Sequence, residues 1–414
     1  MSEIICTFVT QNQIYNMRRI LFFIASALLF VACSSDGVET IQPAKRTVMV
    51  YVAAENTLSG NAQNDINEMI QGVKSISKYD NLIVFVDRAR SQEPPFIVRL
   101  QDNDKQPADT IKKYNSDFYS SDPDKMKEVL GWIMSQYPAD DYGLVLWGHG
   151  NGWVIMNDSV STQRAIAVDS GDNKVSDNGR WLNIPSLRVA LSALPHPFKF
   201  IFADCCNMQN IEVAYELKDV TEYYIASPAG IPGEGAPYQT IIPDLFLYDD
   251  VQMYTKTCDD YHTLTDGENG HLPISAIRTS DLTSLVTATK AALETINPST
   301  VNTDGLIYYY TYRVSDPNEH VMYDMNDFLL HHAETSAYQQ WHKALEQAIV
   351  YKKMSTKWQV MGTLVFDFEV TEERFGGISM FVPLARYENT LIKYNEGIKK
   401  TAWYHAVGWS ELGW

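Results

Sequence analysis

Two hydrophobic patterns alternate along the first half of the chain. In one, apolar residues run without a break: residues 47–54 (Thr-Val-Met-Val-Tyr-Val-Ala-Ala), 82–86, 143–147 and 198–203. Such short, β-branched runs predict strands buried on both faces. In the other, apolar residues recur every three or four positions, as with Ile66, Met69, Ile70, Val73 and Ile76 in 64–76. That spacing predicts a helix with one buried face. Helices are also predicted over 122–134 and 185–194, each with proline at its start, and over 211–217. Residues 96–100 and 223–226 complete the strand set. Beyond these, 275–277, 362–366 and 377–381 read as strands, and 282–296 and 336–350 as helices.

Buried strands alternating with helices predict an α/β fold with a mostly parallel sheet flanked by helices. The mixed second half predicts a C-terminal α+β extension. A soft boundary falls near residue 265, where Asn269-Gly270 and other turn signals cluster. The expected parts are a body over 46–265 and a C-terminal region over 266–414 that packs on or extends the same sheet.

The N-terminal segment changes the picture of where the chain works. Arg18-Arg19 precede an apolar run from Ile20 to Ala32, which ends at Cys33. A charged start, a short apolar segment and a small residue before the cut site make a signal peptide. The run is shorter than the about 20 residues a membrane-spanning helix needs. Phe30-Val31-Ala32-Cys33 resembles a bacterial lipobox, which implies lipidation of Cys33 and a membrane anchor there. Residues 1–33 are thus expected as leader, with Met17 as the true start, and 34–45 as a polar tether. The expected location is the outer membrane or cell surface. The net charge of −18 disfavours nucleic acid as a partner. Of five cysteines, Cys205, Cys206 and Cys258 remain for the body, too few for a disulfide framework. A monomer is expected.

Chemistry concentrates at two strand ends. Residues 144–153 read Leu-Val-Leu-Trp-Gly-His-Gly-Asn-Gly-Trp, placing His149 between glycines after a strand. Residues 200–208 read Phe-Ile-Phe-Ala-Asp-Cys-Cys-Asn-Met, placing two cysteines after another strand and before a helix. Sites in open parallel sheets form at the carboxyl ends of strands, so these segments can converge. A histidine beside a thiol supports the thiolate and protonates a leaving amine. A helix N-terminus just after the cysteine would lower the thiol pKa. Backbone N–H groups at Gly150 and Cys206 are candidate oxyanion donors. Because exposure alternates at a strand end, one thiol faces the cleft and its neighbour the core.

These segments resemble the clostripain family of cysteine peptidases, in the caspase-like clan with gingipains and legumain. The family's Trp-x-His-Gly-x-Gly-Trp stands here as Trp147 to Trp153, and its Asp-x-Cys-x-Met as Asp204 to Met208. Glu-Val-Ala-Tyr-Glu-Leu follows at 212–217, and that spacing selects Cys206 over Cys205 as nucleophile. Further matches are Ala226-Ser227, Pro232-Gly233-Glu234-Gly235 and Pro237-Tyr238. The resemblance implies a caspase-like fold and a cysteine endopeptidase acting on proteins or peptides through a His149/Cys206 dyad. It also implies cleavage after Arg or Lys, with Asp204 and Glu234 as pocket carboxylates. Ser227-Pro228-Ala229-Gly230-Ile231 departs from the acidic residues that often follow this serine in the family. Self-cleavage between the two motifs is implied as well, with Arg164 nearest the expected spacing and Lys174 and Arg180 further on. No metal or cofactor is expected. Some relatives depend on calcium, and Asp169, Asp172 and Asp177 are candidate ligands, but without EF-hand spacing. His331, His332 and His342 suggest no metal site. Two other readings stay open: an inactive peptide-binding lipoprotein, and a thiol hydrolase that is not a peptidase.

Overall fold

A computed structural model describes residues 43–89, 94–155, 165–171, 173–263, 272–311, 319–360, 363–365, 368–388, 390 and 392–414. Arg164, Asp172 and Cys33 lie outside the described residues. Residues from Pro43 to Trp414 form one compact unit.

Its centre is a nine-stranded sheet. The strands, in chain order, are β1 (Ala44–Ala54), β2 (Asn81–Arg88), β3 (Phe96–Leu100), β4 (Ala108–Lys113), β5 (Ala139–Trp147), a β6 (Ile166–Asp169) and β7 (Arg180–Leu182) pair outside the sheet, β8 (Phe198–Asp204), β9 (Thr221–Ala226), β10 (Ile274–Arg278) and, further on, β13 (Ile349–Lys353). Across the sheet the order is β13-β10-β9-β8-β5-β1-β2-β3-β4. The five middle strands, β9 to β2, pair in parallel. Antiparallel strands close both edges.

The continuous apolar runs are explained by two cores. Met49, Tyr51 and Ala53 of β1 enter one, while Val48, Val50, Val52 and Ala54 enter the other. Leu144 and Leu146 of β5 likewise oppose Val145 and Trp147. Alternate side chains of a strand point to opposite faces, so a run apolar at every position needs both faces covered. On the first face lie α2 (Pro123–Gln136), α3 (Ile184–Ser192), α4 (Ile211–Glu216), α7 (Leu282–Leu293) and α9 (Thr335–Ala348); on the second lie α1 (Ser59–Gly72), α5 (Tyr238–Leu245) and α6 (Asp250–His262). The helix predicted from residue 64 starts at Ser59 and runs to Gly72, with a 3-10 turn to Ser75.

Beyond the main sheet, β11 (Tyr308–Thr311), β12 (His320–Asp324) and β16 (Ser379–Met380) form a small antiparallel sheet, with α8 (Met325–His332) following β12. β14 (Trp358–Val360) pairs with β15 (Thr363–Val365). This C-terminal part is tied to α4 by carboxylates. Phe381 N donates to Glu212 Oε1 at 2.8 Å, and Ala402 N to Glu216 Oε1 at 2.8 Å.

Glu212 is fully buried, and its Oε2 has no hydrogen-bond partner. Burial pushes its carboxyl up from 4.5 to about 8, only partly offset by the Phe381 N–H. The folded chain therefore keeps a proton that the unfolded chain releases. That contribution to stability is complete below about pH 4.5 and is lost as pH rises towards about 8. Glu212→Gln removes the dependence. Its stability relative to wild type is expected to improve on the order of 3 kcal/mol between pH 5 and 8, read by denaturant unfolding. A difference constant with pH would show that Glu212 is not the responsible group.

Candidate active site

The parallel register of β5 and β8 sets the site. Trp147 pairs with Asp204, the last residue of each strand. His149 and Cys206 each lie two residues further on, so the two segments leave the sheet side by side at its carboxyl edge. They touch at Gly150. A Cβ there would meet Cys206 O at 2.6 Å and Cys205 Cβ at 2.7 Å, which no side chain tolerates. Gly148 has φ +147°, and a Cβ there would meet Ala53 O at 2.9 Å. Glycine at both positions lets the backbone of the histidine loop lie directly against its neighbours.

Hydrogen bonds on either side of Gly150, from Asn151 N to Ala165 O at 2.7 Å and from Ala167 N to His149 O at 2.9 Å, bypass its N–H. That donor sits beside Cys206, whose N would be 3.1 Å from a Cβ on Gly150.

The two cysteines differ sharply. Cys205 is fully buried in the first core, and its Sγ reaches Leu146 O at 3.3 Å. Cys206 is half-buried and lies against the backbone of Ile231, whose N–H donates to Sγ at 3.3 Å. Burial pushes the Cys206 thiol up, and the Ile231 N–H opposes this. The helix expected after the cysteines begins at Ile211, capped by Asn210, five residues beyond the thiol. The chain first turns at Asn207, at φ 58°. Asn207 Nδ2 anchors that turn by donating to Pro228 O and Tyr309 O at 3.0 and 3.1 Å.

His149 has partners that the sequence did not suggest. Its Nε2 lies 3.1 Å from Asp177 Oδ1 and 2.9 Å from Thr57 Oγ1. Thr57 donates to Asp177 through its hydroxyl, at 2.7 Å, and its backbone N–H, at 3.1 Å. Partial burial pushes the Asp177 carboxyl up, but the hydrogen bonds from His149 and Thr57 outweigh it and hold it at about 2. Asp177 is therefore an ionised partner for the imidazole across the neutral range. It comes from the loop between β6 and β7, and Thr57 from the turn after β1.

Asp204 is buried under the 232–236 loop. Ala236 N donates to its Oδ2 at 2.9 Å, Tyr238 OH to Oδ2 at 2.8 Å and Tyr261 OH to Oδ1 at 3.0 Å. Burial pushes its carboxyl up against these three donors. A second buried carboxylate, Asp65, takes a 2.6 Å hydrogen bond from Trp147 Nε1. Burial, then the charges of Asp204, Glu68 and Glu234, push Asp65 up to about 8. Glu234 is exposed on the same loop, three residues after the Ile231 that touches the thiol. Of the sequence's candidate calcium ligands, Asp177 faces His149, while Asp169 accepts from Ser120 Oγ and Gly171 N at 2.9 and 2.8 Å.

The chain matches the Clostripain family, peptidase C11, over residues 50–414. It belongs to the clostripain family of cysteine peptidases. Clostripain of Hathewaya histolytica is 29% identical over 224 residues, which is 48% of this chain and 41% of that protein. The match thus spans less than half the length of that family member. A secreted C11 cysteine protease from Bacteroides thetaiotaomicron, solved with an irreversible peptide inhibitor, is 31% identical, with TM-score 0.72 over 89% of this chain and 99% of that one. An inactive zymogen C11 protease from Parabacteroides distasonis is 27% identical, with TM-score 0.72 over 88% of this chain and 99% of its own. Among the described residues, no helix of this family member is long and apolar enough to cross a membrane.

The different settings of the thiols predict their reactivity. Brief alkylation of native protein by iodoacetamide is expected to modify Cys206 at least about tenfold faster than Cys205 or Cys258, as read by peptide mass spectrometry. Equal labelling of Cys205 would show that the adjacent pair is not divided between cleft and core.

Proposed function

We propose that this clostripain-family chain is an endopeptidase in which Cys206 is the nucleophile and His149 the general acid and base. The observation that carries the reading is the shared exit of the two segments, with His149 held by Asp177 and Thr57. In the proposed cycle, the Cys206 proton passes to His149 as Sγ attacks the scissile carbonyl carbon. The oxyanion takes hydrogen bonds from the N–H groups of Gly150 and Cys206. His149 then gives its proton to the leaving amine, and water hydrolyses the thioester. Asp177 orients the imidazole.

The proposed preference is for Arg or Lys before the scissile bond. Asp65, Glu68, Asp204 and Glu234 border the loop that runs on from the thiol contact, and carboxyl groups so placed offer acceptors to a cationic side chain. Asp204 holds the loop from beneath through Ala236 N, and exposed Glu234 is the group able to reach the substrate. From this loop Ile231 N donates to the thiol. Cleavage of the chain after Arg164 is proposed as the activating step. It falls in the connection that leads from the His149 segment to the loop holding Asp177.

Turnover of fluorogenic peptides tests these points together. Cys206→Ala and His149→Ala are expected to lose at least about 1,000-fold in kcat/KM, while Cys205→Ser retains activity. Glu234→Gln is expected to cost about 10-fold on Arg substrates, chiefly in KM. Wild type is expected to show a cut after Arg164 that Cys206→Ala lacks. Turnover of small esters without any peptide cleavage would favour the hydrolase that is not a peptidase. No turnover from folded, processed protein would favour a peptide-binding lipoprotein.

Lipidation of Cys33, with retention at the outer membrane or cell surface, is proposed from the leader. The mass of the mature N-terminal peptide tests it, with diacylglyceryl-modified Cys33 expected and an unmodified cleaved N-terminus the contrary result.

A further inference from the structure

The proposed reaction gives a place to the substrate residue before the scissile bond and none to the residue after it. One aromatic side chain flanks the imidazole on which that second residue must converge. The Trp181 ring centroid lies 6.3 Å from that of His149, with the two planes tilted by 43°. Trp181 belongs to β7, four residues after Asp177 on the same excursion from the sheet. The Ile231–Ala236 loop, which touches the thiol and Asp204, is a separate segment.

The backbone is fixed on both sides of Trp181. Leu182 is buried in the first core and pairs with Ile166. Arg180 pairs with Asp169, and its guanidinium lies 3.7 Å from Asp122 and 4.5 Å from the Tyr119 ring centroid. The indole between them is half-buried. Among the described residues its Nε1 has no hydrogen-bond partner. The ring is therefore placed by its backbone and by packing, not by its polar atom. What it offers beside His149 is a rigid apolar surface.

We propose that Trp181 forms the subsite for the substrate residue just after the scissile bond, and that this subsite favours an aromatic or large aliphatic side chain. This rests on the reading of His149 as the group that protonates the leaving amine. Such a transfer needs the amine nitrogen within about 3 Å of the imidazole. The side chain of the same residue begins two bonds further on, about 2.5 Å from that nitrogen. It must therefore pack against whatever flanks the imidazole. Asp177 adds a second selection. Its carboxylate is ionised and 45% exposed beside the same ring, so an acidic residue after the scissile bond meets like charge. Arg180 gives that residue little relief, because its guanidinium is engaged by Asp122 and Tyr119.

The test uses full-length protein and fluorogenic peptides that differ only in the residue after the scissile bond. Wild type is expected to turn over the Phe and Leu peptides about 10-fold better than Gly in kcat/KM, with Asp poorest. Trp181→Ala is expected to reduce the Phe-to-Gly ratio to about 2 or less, and Trp181→Phe to keep most of it. Each ratio is taken within one preparation, so a loss of folded protein cancels. The same ratio is read without turnover from Kd values on Cys206→Ala, with and without Trp181→Ala. A tryptophan that serves only to pack against His149 would lower turnover of every peptide alike and leave both ratios unchanged. That result, or a wild type indifferent to the residue after the bond, would overturn the subsite alone. Failure of folded, processed wild type to cut any peptide would overturn the peptidase reading and the subsite with it.

Discussion

The pairing of Trp147 with Asp204 is the constraint on which the site depends. Parallel neighbours in a sheet have a fixed register, and the side-chain period of two converts that register into a decision about faces. A slip of one residue in β8 would exchange Cys205 and Cys206 between core and cleft. The register is held firmly because Phe200 and Phe202 fill one core while Ile201, Ala203 and Cys205 fill the other. Apolar packing on both faces thus turns Cys206 out of the core without any contact to it.

Negative charge at the carboxyl edge of the sheet is the second theme. Asp65, Glu55 and Asp204 are all nearly inaccessible, yet each serves a different neighbour. Asp204 is satisfied by two tyrosines and a backbone N–H, Asp65 by an indole, and Glu55 by a backbone N–H and a serine. Such carboxylates are held by donors that also hold loops, so each charge doubles as a fastening. The same acidic character that the bulk composition showed only as net charge is here concentrated where the loops meet.

The central strands were legible in the sequence because they are apolar at every position, a pattern that needs no neighbour to interpret. The edge was not. β4 reads Ala-Asp-Thr-Ile-Lys-Lys and is largely exposed, with no apolar face long enough to stand out. α5 spans only Tyr238–Leu245 and contains Pro243, and α6 carries Asp250, Asp259 and Asp260, so neither stood out as a helix. The strand expected over 377–381 shrinks to Ser379–Met380, since Ile378 O accepts from Met325 N and Phe381 N donates to Glu212. Within the site, His149 and the cysteine pair stood out because glycine and buried strands flank them. Thr57 and Asp177 did not, for they lie 92 and 120 positions from their partners His149 and Thr57. Only the fold brings them together. The helix expected over 211–217 forms at Ile211–Glu216, and the left-handed turn at Asn207 bends the chain towards Tyr309 before it begins.

Glu212 and Glu216 sit in the helix after Cys206, yet their backbone donors come 169 and 186 residues later, at Phe381 and Ala402. During synthesis the strands that carry His149 and Cys206 emerge long before those donors exist. Until the last stretch of chain is made, Glu212 lacks the backbone donor it has in the folded protein, whereas Glu216 already has Arg188 Nε at 2.9 Å. Full anchoring of the helix after Cys206 therefore awaits completion of the polypeptide. A ribosome-bound or prematurely ended chain would hold both motif segments without the framework that fixes them.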